Sequence, residues 1–469
     1  MMNLKRPRFI VAGISGDSGK TLISVGLASY LINNGYEVYP FKKGPDYIDA
    51  MWLSQASSKD ARNLDTFIMP KPTIIESFIN NTRSSGIAIV EGNRGLYDGF
   101  DEFGSHSTAE LAKVLDAPII LVLNTQKMTR TSSVIVWGLK YFDISLNIAG
   151  VIINNYSGRR HKEIIANSIV ELTGVPIVGA IPRLSDKTLF PNRHLGLVTP
   201  FELKERTEAI ENAQGIVQDY IDIQKILDIA NSASDIYTAN YPGETIKSSK
   251  QVRIAYFWDR AFCFYYKENL EALEQYGAEL IPVSPINDTM LPEVDGVYIG
   301  GGFPETNAEE LSKNRSFIDD FRQKVLNGLP VFAECGGLMY LAEELVYNDN
   351  YKLAGILPIT VSMSSKPIGH GYFEGIVDIE NPYFAKGTLI RGHEFHYSYV
   401  SEIRGKIQTT VKVQRGTGSI NNRDGIMRGN IYASYFHLHH LGSPFWAKEF
   451  LDFCKKNKSL YKNAIERTK

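Results

Sequence analysis

The first half of the chain alternates short apolar runs with longer segments whose apolar residues have helical spacing. In the segment 20–33, for example, leucines and isoleucines recur every three to four residues, and Gly35 follows as a stop signal. Strand candidates flank such segments at residues 9–12, 87–91, 119–124 and 149–154. This alternation predicts βαβ units and a parallel sheet.

The second half repeats this pattern after a polar interruption. Residues 231–251 have no clear periodicity, and strand candidates resume at 253–257, 296–299 and 331–333. A tail at 361–434 is rich in β-branched and aromatic residues. We therefore predict two α/β domains, at 1–232 and 252–469, with a linker at 233–251.

A glycine-rich segment joins the first predicted strand to the first predicted helix. The strict phosphate loop is G-x-x-x-x-G-K-[ST], and here Ile14 stands where it asks for the first glycine. Backbone N–H groups in such a turn, backed by a helix N-terminus, still form an anion cradle. The alternative, a plain surface turn, fits this strand–loop–helix context poorly. The predicted nucleotide-binding residues are Gly13, Ser15, Gly16, Ser18, Gly19, Lys20 and Thr21.

Acidic and basic residues crowd a second turn, at 41–49. Lys42 is assigned to the nucleotide, while Asp46 and Asp49 are spaced to converge on one Mg²⁺, a hard ion that prefers oxygen ligands. Glu91 ends another predicted strand and so faces the same crevice. With the Thr21 hydroxyl, these three carboxylates form the predicted metal site. A solvated charged loop is the alternative for 41–49.

These segments carry a family resemblance. GISGDSGKT (13–21), PFKKGPDYID (40–49), RNLDTF (62–67), VEGNRGLYDG (90–99), STAELA (107–112) and NRHLGLV (192–198) resemble the synthetase domain of the cobyrinate a,c-diamide synthase family. That domain is similar to dethiobiotin synthetase, whose phosphate loop has the same one-residue extension. The resemblance implies a P-loop NTPase fold for the first domain.

A cysteine marks the second domain. VFAECGGLMY (331–340) reads as strand, cysteine, glycines and helix, a sharp turn that exposes a nucleophile. A helix N-terminus lowers a thiol pKa, so we expect thiolate character at Cys335. Cys263 and Cys454 lack such surroundings and are interpreted as buried small hydrophobic residues.

The base for this thiol must be a histidine from elsewhere in the chain. ASYFHLHH (433–440) offers His437, with His439 as an orienting neighbour. A metal site is the alternative for this cluster, but no carboxylate or thiol stands at ligand spacing. GGGFPE (300–305) follows a predicted strand and by itself could be a plain glycine turn.

This second set of motifs resembles class I glutamine amidotransferases, which implies a flavodoxin-like fold. The resemblance also implies that the glycine turn contributes to an oxyanion hole, formed by N–H groups of Gly301, Gly302 and Gly336. Those enzymes have a glutamate two residues after the late histidine, where this chain has His439. The cobyrinate-type subgroup commonly shows that departure. DRAFCFYY (259–266) and RGHEFHYS (391–398) match the same subgroup.

Composition and charge limit the expected partners and the cellular compartment. A formal net charge of −2 gives no electrostatic reason to expect nucleic acid or an anionic membrane as partner. Three cysteines favour a reducing compartment, and no stretch reaches the roughly 18 apolar residues of a membrane span. The apolar run that follows the basic N-terminal stretch is too short for a signal peptide and ends in a glycine loop. We expect a soluble cytoplasmic protein; a homodimer is compatible with the sequence, which leaves the oligomeric state open.

The resemblance as a whole implies a reaction. ATP and Mg²⁺ would activate a carboxylate as an acyl phosphate, and glutamine would supply channelled ammonia. The implied substrate is a tetrapyrrole polycarboxylate amidated at its a and c side chains, with cobyrinate of cobalamin biosynthesis first. Residues 91–98 (EGNRGLYD) depart slightly from the family wording, which keeps nickel-sirohydrochlorin and sirohaem open. A partitioning-type ATPase switch and a non-enzymatic tetrapyrrole binder are the alternatives from other classes.

Overall fold

A computed structural model describes residues 2–184, 192–193, 196–238 and 249–468 of the chain. The segment 192–198, which contributed to the family resemblance, lies partly outside the described residues. The same holds for the predicted linker at 233–251, of which residues 239–248 are not described. The chain forms two compact units, Met1–Gly243 and Glu244–Lys469. Within the described ranges, every helix is too short or too polar to span a lipid bilayer.

Strands and helices alternate through most of the first unit. Its strands are β1 Met2–Leu4, β2 Arg8–Gly13, β3 Glu37–Lys43, β4 Arg62–Leu64, β5 Gly86–Glu91, β6 Ile119–Asn124, β7 Ile148–Tyr156, β8 Ile177–Pro182, β9 Asn192–Arg193, β10 Gly196–Leu197 and β11 Ile236–Thr238. Its helices are α1 Lys20–Asn33, α2 Ile48–Ser57, α3 Lys71–Asn80, α4 Thr108–Leu115, α5 Thr131–Phe142, α6 Arg159–Thr173, α7 Arg206–Tyr220 and α8 Ile223–Asn231.

Seven of these strands form one parallel sheet in the order β4-β3-β5-β2-β6-β7-β8. Buried apolar side chains on β2, β5 and β6 explain why the sequence shows short continuous apolar runs there. The chain leaves β2 toward β3 on one side and later returns to β6 on the other. Ligands bind at such a switch point, beyond the carboxyl ends of the strands.

Part of the predicted linker is structured. Residues 236–238 form β11, which pairs antiparallel with β1. Because the partner lies at the other end of the unit's sequence, local periodicity over 233–251 could not reveal the pairing. The division between the two units falls within the predicted linker.

The second unit combines a parallel half-sheet with an antiparallel extension. Its strands are β12 Val252–Phe257, β13 Ala278–Val283, β14 Gly296–Ile299, β15 Val331–Glu334, β16 Ala342–Tyr347, β17 Asp349–Lys352, β18 Leu357–Met363, β19 Gly369–Val377, β20 Leu389–His396, β21 Ser398–Ile403, β22 Gln408–Arg415, β23 Arg423–Arg428, β24 Ile431–Ser434 and β25 His437–Leu438. Its helices are α9 Lys267–Gln275, α10 Ala308–Lys313, α11 Arg315–Leu326, α12 Gly336–Leu341 and α13 Trp446–Thr468.

Ten strands form the main sheet, in the order β13-β12-β14-β15-β24-β23-β22-β19-β20-β25. The strands from β13 to β24 are parallel, and alternate residues along them enter two separate cores. Phe332 packs in one core, whereas its neighbours Val331 and Ala333 pack in the other. Both faces of this half-sheet are therefore covered, as expected for a doubly wound fold.

Candidate active sites

The glycine-rich loop of the first unit is fixed by hydrogen bonds from Ser18 within the loop and from Asn154 on β7. Ser18 Oγ donates to the Ser15 carbonyl at 2.9 Å, and Asn154 Nδ2 donates to the Ser18 carbonyl at 3.0 Å. Gly19 has φ of +96°, and a β-carbon there would lie 2.5 Å from Asn154 Nδ2. Both the backbone conformation and the close approach therefore require glycine at the start of α1.

Lys20 lies over this loop rather than in solvent. Its Nζ donates to the carbonyls of Ser15 and Arg94, each at 2.8 Å, and the residue is 7% exposed. Burial, followed by the charge of Lys42, lowers the pKa of Lys20. A buried cation over backbone N–H groups at a helix N-terminus is a suitable site for a phosphate chain.

Beside the loop, two carboxylates share one lysine and one hydroxyl. Lys42 Nζ lies 2.5 Å from Asp49 Oδ2 and 2.9 Å from Glu91 Oε1. Thr21 Oγ1 donates to Glu91 Oε1 at 2.7 Å and lies 3.4 Å from Asp49 Oδ1. Burial raises the pKa of Glu91 to about 7, and the charge of Lys42 opposes this shift. The other oxygen, Glu91 Oε2, is buried and makes no hydrogen bond.

Three of the four predicted metal ligands, Thr21, Asp49 and Glu91, thus converge. The free oxygen of Glu91 and the Thr21 hydroxyl are suitable ligands for a hard ion such as Mg²⁺, which also retains water and phosphate oxygens. Asp46 is used differently: its Oδ1 accepts the Asp49 N–H at 3.0 Å at the start of α2. In the described part of the chain, no group of three or more His, Cys, Asp or Glu side chains stands ready to enclose a metal.

In the second unit, Cys335 occupies a strained elbow between β15 and α12. Its φ is +47°, and its N–H donates to the Ser434 carbonyl at 2.7 Å. A β-carbon at Gly337 would lie 2.6 Å from the Ile299 carbonyl, and one at Gly336 would lie 3.1 Å from the Gly302 nitrogen. The cysteine can hold this conformation only because glycines follow it.

The expected lowering of the thiol pKa is wrong. Burial raises the pKa of Cys335, and the nearby carboxylates Glu305, Glu334 and Asp424 raise it further. Helix α12 has only six residues, so its N-terminus cannot outweigh the loss of water. Burial also lowers the pKa of His437 to about 3, with a smaller contribution from His396. Both shifts act in the same sense, because burial favours the uncharged form of each group.

Strand β25 brings His437 to this elbow. It pairs with β20, where His393 stands opposite His437, and the two rings stack at 4.7 Å between centroids. A β-carbon at Gly301 would lie inside van der Waals contact of the His437 imidazole. Gly301 therefore lies against the predicted base, and Gly302 lies against Gly336, the residue that follows the cysteine.

His439 is directed elsewhere. Its Nδ1 accepts the Leu441 N–H at 3.2 Å, and its Nε2 faces Glu268 Oε2 at 3.5 Å. The ring of Tyr266 packs against it at 4.5 Å. A role of His439 in orienting His437 stays a prediction.

Sequence reasoning missed several side chains at this site. His393 and His396 lie within the 391–398 segment, which resembles the family but to which the sequence assigns no catalytic role. Glu334 immediately precedes the cysteine and is 1% exposed; burial raises its pKa to about 8. Adjacency to Cys335 was the one available signal for Glu334.

The two units together define a class: a phosphate-loop domain joined to a domain with a cysteine elbow and a histidine against its glycine loop is typical of a glutamine-dependent amidoligase. Residues 9–198 match the CobQ/CobB/MinD/ParA nucleotide binding domain, and residues 253–445 match the CobB/CobQ-like glutamine amidotransferase domain. The chain is 39% identical to a cobyrinate a,c-diamide synthase of Magnetococcus marinus over 98% of its own length and 99% of the relative's.

Two further relatives bear the same name. The chain is 39% identical to that of Archaeoglobus fulgidus, over 96% of this chain and 98% of the relative, and 40% identical to that of Dehalococcoides mccartyi, over 96% and 99%. The chain therefore belongs to the cobyrinate a,c-diamide synthase family. It is a ligase that takes its amide nitrogen from glutamine.

Proposed function

We propose that this protein amidates the a and c side-chain carboxylates of cobyrinate, with ATP and glutamine as co-substrates. The observation that carries the proposal is the near full-length match to relatives named for that reaction, on a chain that keeps both a phosphate loop and a Cys335–His437 site. A carboxylate does not react with ammonia near neutral pH, since oxide is a poor leaving group. The phosphate-loop site is therefore needed to activate the carboxylate, and the cysteine site is needed only to release ammonia from glutamine.

In the second unit, the Cys335 sulfur attacks the glutamine side-chain carbonyl. Because burial disfavours the charged forms of both groups, the thiol proton passes to His437 during the attack. N–H groups of Gly302 and Gly336 stabilise the tetrahedral oxyanion, His437 returns the proton to the departing ammonia, and water then hydrolyses the thioester to glutamate.

In the first unit, the substrate carboxylate attacks the terminal phosphorus of ATP, which forms an acyl phosphate and breaks the bond to ADP, the leaving group. Lys20 and the loop N–H groups neutralise charge on the transferring phosphoryl group. Thr21, Asp49 and Glu91 would hold Mg²⁺, which supplies further charge neutralisation on the phosphate oxygens. Ammonia attacks the resulting acyl phosphate, phosphate leaves, and an amide is formed.

We further propose that this ammonia is channelled and does not mix with the solvent pool. In water at neutral pH ammonia becomes ammonium, which has no lone pair for the attack. Glutamine-dependent amidation in the presence of ¹⁵N-ammonium should give product with the natural nitrogen isotope. Products that take up ¹⁵N in proportion to the external ammonium would contradict channelling.

The test of the main proposal compares wild type with Cys335→Ala. Wild type should hydrolyse glutamine and convert cobyrinate to a diamide, detected by mass spectrometry. The variant should lose glutamine use yet keep amidation with added ammonia, since the first unit is intact. Parallel incubations with nickel-sirohydrochlorin and sirohaem decide the macrocycle. If wild type amidates none of the three, the proposal fails.

A further inference from the structure

A buried carboxylate lies between the cysteine and the strand that carries the histidine. Glu334 Oε1 accepts the backbone N–H of Leu438 at 2.8 Å, and Oε2 accepts the hydroxyl of Tyr298 at 2.9 Å. Glu334 is covalently bonded to Cys335, and Leu438 to His437. One side chain therefore links the neighbour of the nucleophile to the neighbour of the base.

Asn269 holds the other side of the same strand. Its Nδ2 donates to the Leu438 carbonyl at 2.9 Å and contacts the Tyr298 hydroxyl at 3.2 Å, while its Oδ1 accepts the His440 N–H at 2.7 Å. The residue is fully buried. We call Glu334, Tyr298 and Asn269 the backbone clamp.

The clamp compensates for a short strand. Strand β25 has two residues and pairs with β20 at a sheet edge, at Gly392–Leu438 and His393–His437. So short a strand has few ladder hydrogen bonds to fix the direction of a side chain. The Leu438 peptide groups are instead bonded by the side chains of Glu334 on β15 and Asn269 on α9. The hydroxyl of Tyr298 on β14 bonds both of these side chains in turn.

We propose that Glu334 is the positioning carboxylate of the amidotransferase site, acting through the Leu438 backbone rather than through the imidazole of His437. It does so in a chain that has His439 where class I amidotransferases have their glutamate. The inference rests on the proposed glutaminase function of Cys335 and His437, and adds that their mutual placement depends on this contact.

The central experiment compares Glu334→Ala with Glu334→Gln. Alanine frees the Leu438 N–H and lets β25 shift; a misplacement of about 1 Å costs roughly 100-fold in rate. We expect kcat for glutamine hydrolysis to fall roughly 100-fold, with KM for glutamine within about threefold of wild type. Glutamine at 334 keeps an acceptor oxygen for Leu438, and should restore kcat to within about tenfold of wild type.

Two controls separate positioning from general damage. Amidation with added ammonia should be unchanged in both variants, because it does not use this site. Asp295→Ala removes a different buried carboxylate, which accepts the Arg253 N–H at 2.9 Å and pairs with Lys458; it should lower the melting temperature and leave kcat for glutamine unchanged.

An independent variant, Asn269→Ala, releases the Leu438 carbonyl. It should also lower kcat, and the double variant with Glu334→Ala should lose less than the product of the two single losses, since both act on one strand. The inference is overturned if Glu334→Ala hydrolyses glutamine at the wild-type rate, or if its defect appears only in KM. It is also overturned if Glu334→Gln is as defective as alanine.

If Glu334→Ala does not fold, Glu334→Gln and Asn269→Ala decide the matter by the same criteria. Failure of the proposed function is separate: wild type itself would then hydrolyse no glutamine, or Cys335→Ala would keep the activity.

Discussion

Replacing Gly301 by alanine tests whether the glycine loop and His437 meet as the structure shows. The backbone of Gly301 has no positive φ, so alanine adds no conformational strain there. The added β-carbon would lie 3.4 Å from both nitrogens of the His437 ring and much closer to Cε1 between them. The substitution therefore acts through steric overlap between the new methyl group and the His437 imidazole.

Its size follows from contact distances. Carbon atoms rest about 3.5–4.0 Å apart, so the ring or the loop must shift by roughly 1 Å. A shift of that size costs roughly 100-fold in rate, or about 2.7 kcal/mol of transition-state stabilisation. Overpacking in a buried site also costs about 1–3 kcal/mol in folding stability.

The assay is glutamine hydrolysis followed beside ammonia-dependent amidation. Gly301→Ala should lose roughly 100-fold in the first activity and nothing in the second. Gly138→Ala is the matched control, because no heavy atom lies within 4 Å of its β-carbon position on helix α5; both activities should be unchanged. Wild-type glutamine hydrolysis by Gly301→Ala would refute the placement of His437 against this loop.

Three more predictions concern other parts of the chain. Glu91→Gln should abolish ATP-dependent amidation with either nitrogen source yet leave glutamine hydrolysis intact, since it removes a charge only from the phosphate site. Gly26→Ala should destabilise the first unit by about 1–3 kcal/mol despite the higher helix propensity of alanine, because its β-carbon would lie 2.6 Å from a side chain of α7. The third concerns His440, whose pKa burial lowers to about 4. Below about pH 6.5 His440 binds a proton in the unfolded chain but not in the folded chain. The free energy of unfolding therefore falls as the pH drops from about 6.5 to about 4. His440→Asn should flatten this fall by up to about 1.4 kcal/mol per pH unit.

Each of these has a direct measurement. Product mass spectrometry checks Glu91→Gln, and residual amidation at the wild-type rate would contradict its role. Denaturant unfolding checks Gly26→Ala against Gly215→Ala, a site on α7 with open space around its β-carbon position; equal stabilities would contradict close packing of α1 on α7. Unfolding from pH 7 to pH 4 checks His440→Asn, and an unchanged slope would show that His440 does not carry the linkage.

Features that depend on neighbouring residues in the chain were predictable. The helix predicted at 20–33 is α1, and Gly19 precedes it with a positive φ. The strand that ends at Ile299 and the elbow at Cys335 also follow their local patterns. Apolar periodicity, glycine and the order of residue types determine such elements, because their hydrogen bonds and backbone angles are local.

Interactions between segments that are distant in the chain could be determined only from the tertiary structure. The sequence supplied Cys335, but burial by surrounding segments sets its pKa, against the local expectation from a helix N-terminus. Asp46 and Asp49 were equivalent candidates for metal ligands in the sequence, yet of the two it is Asp49 that forms an ion pair with Lys42. Glu334 finds its partner 104 residues away. Electrostatic free energy and buried hydrogen bonds depend on the three-dimensional surroundings of a group, and one-dimensional spacing does not contain that information.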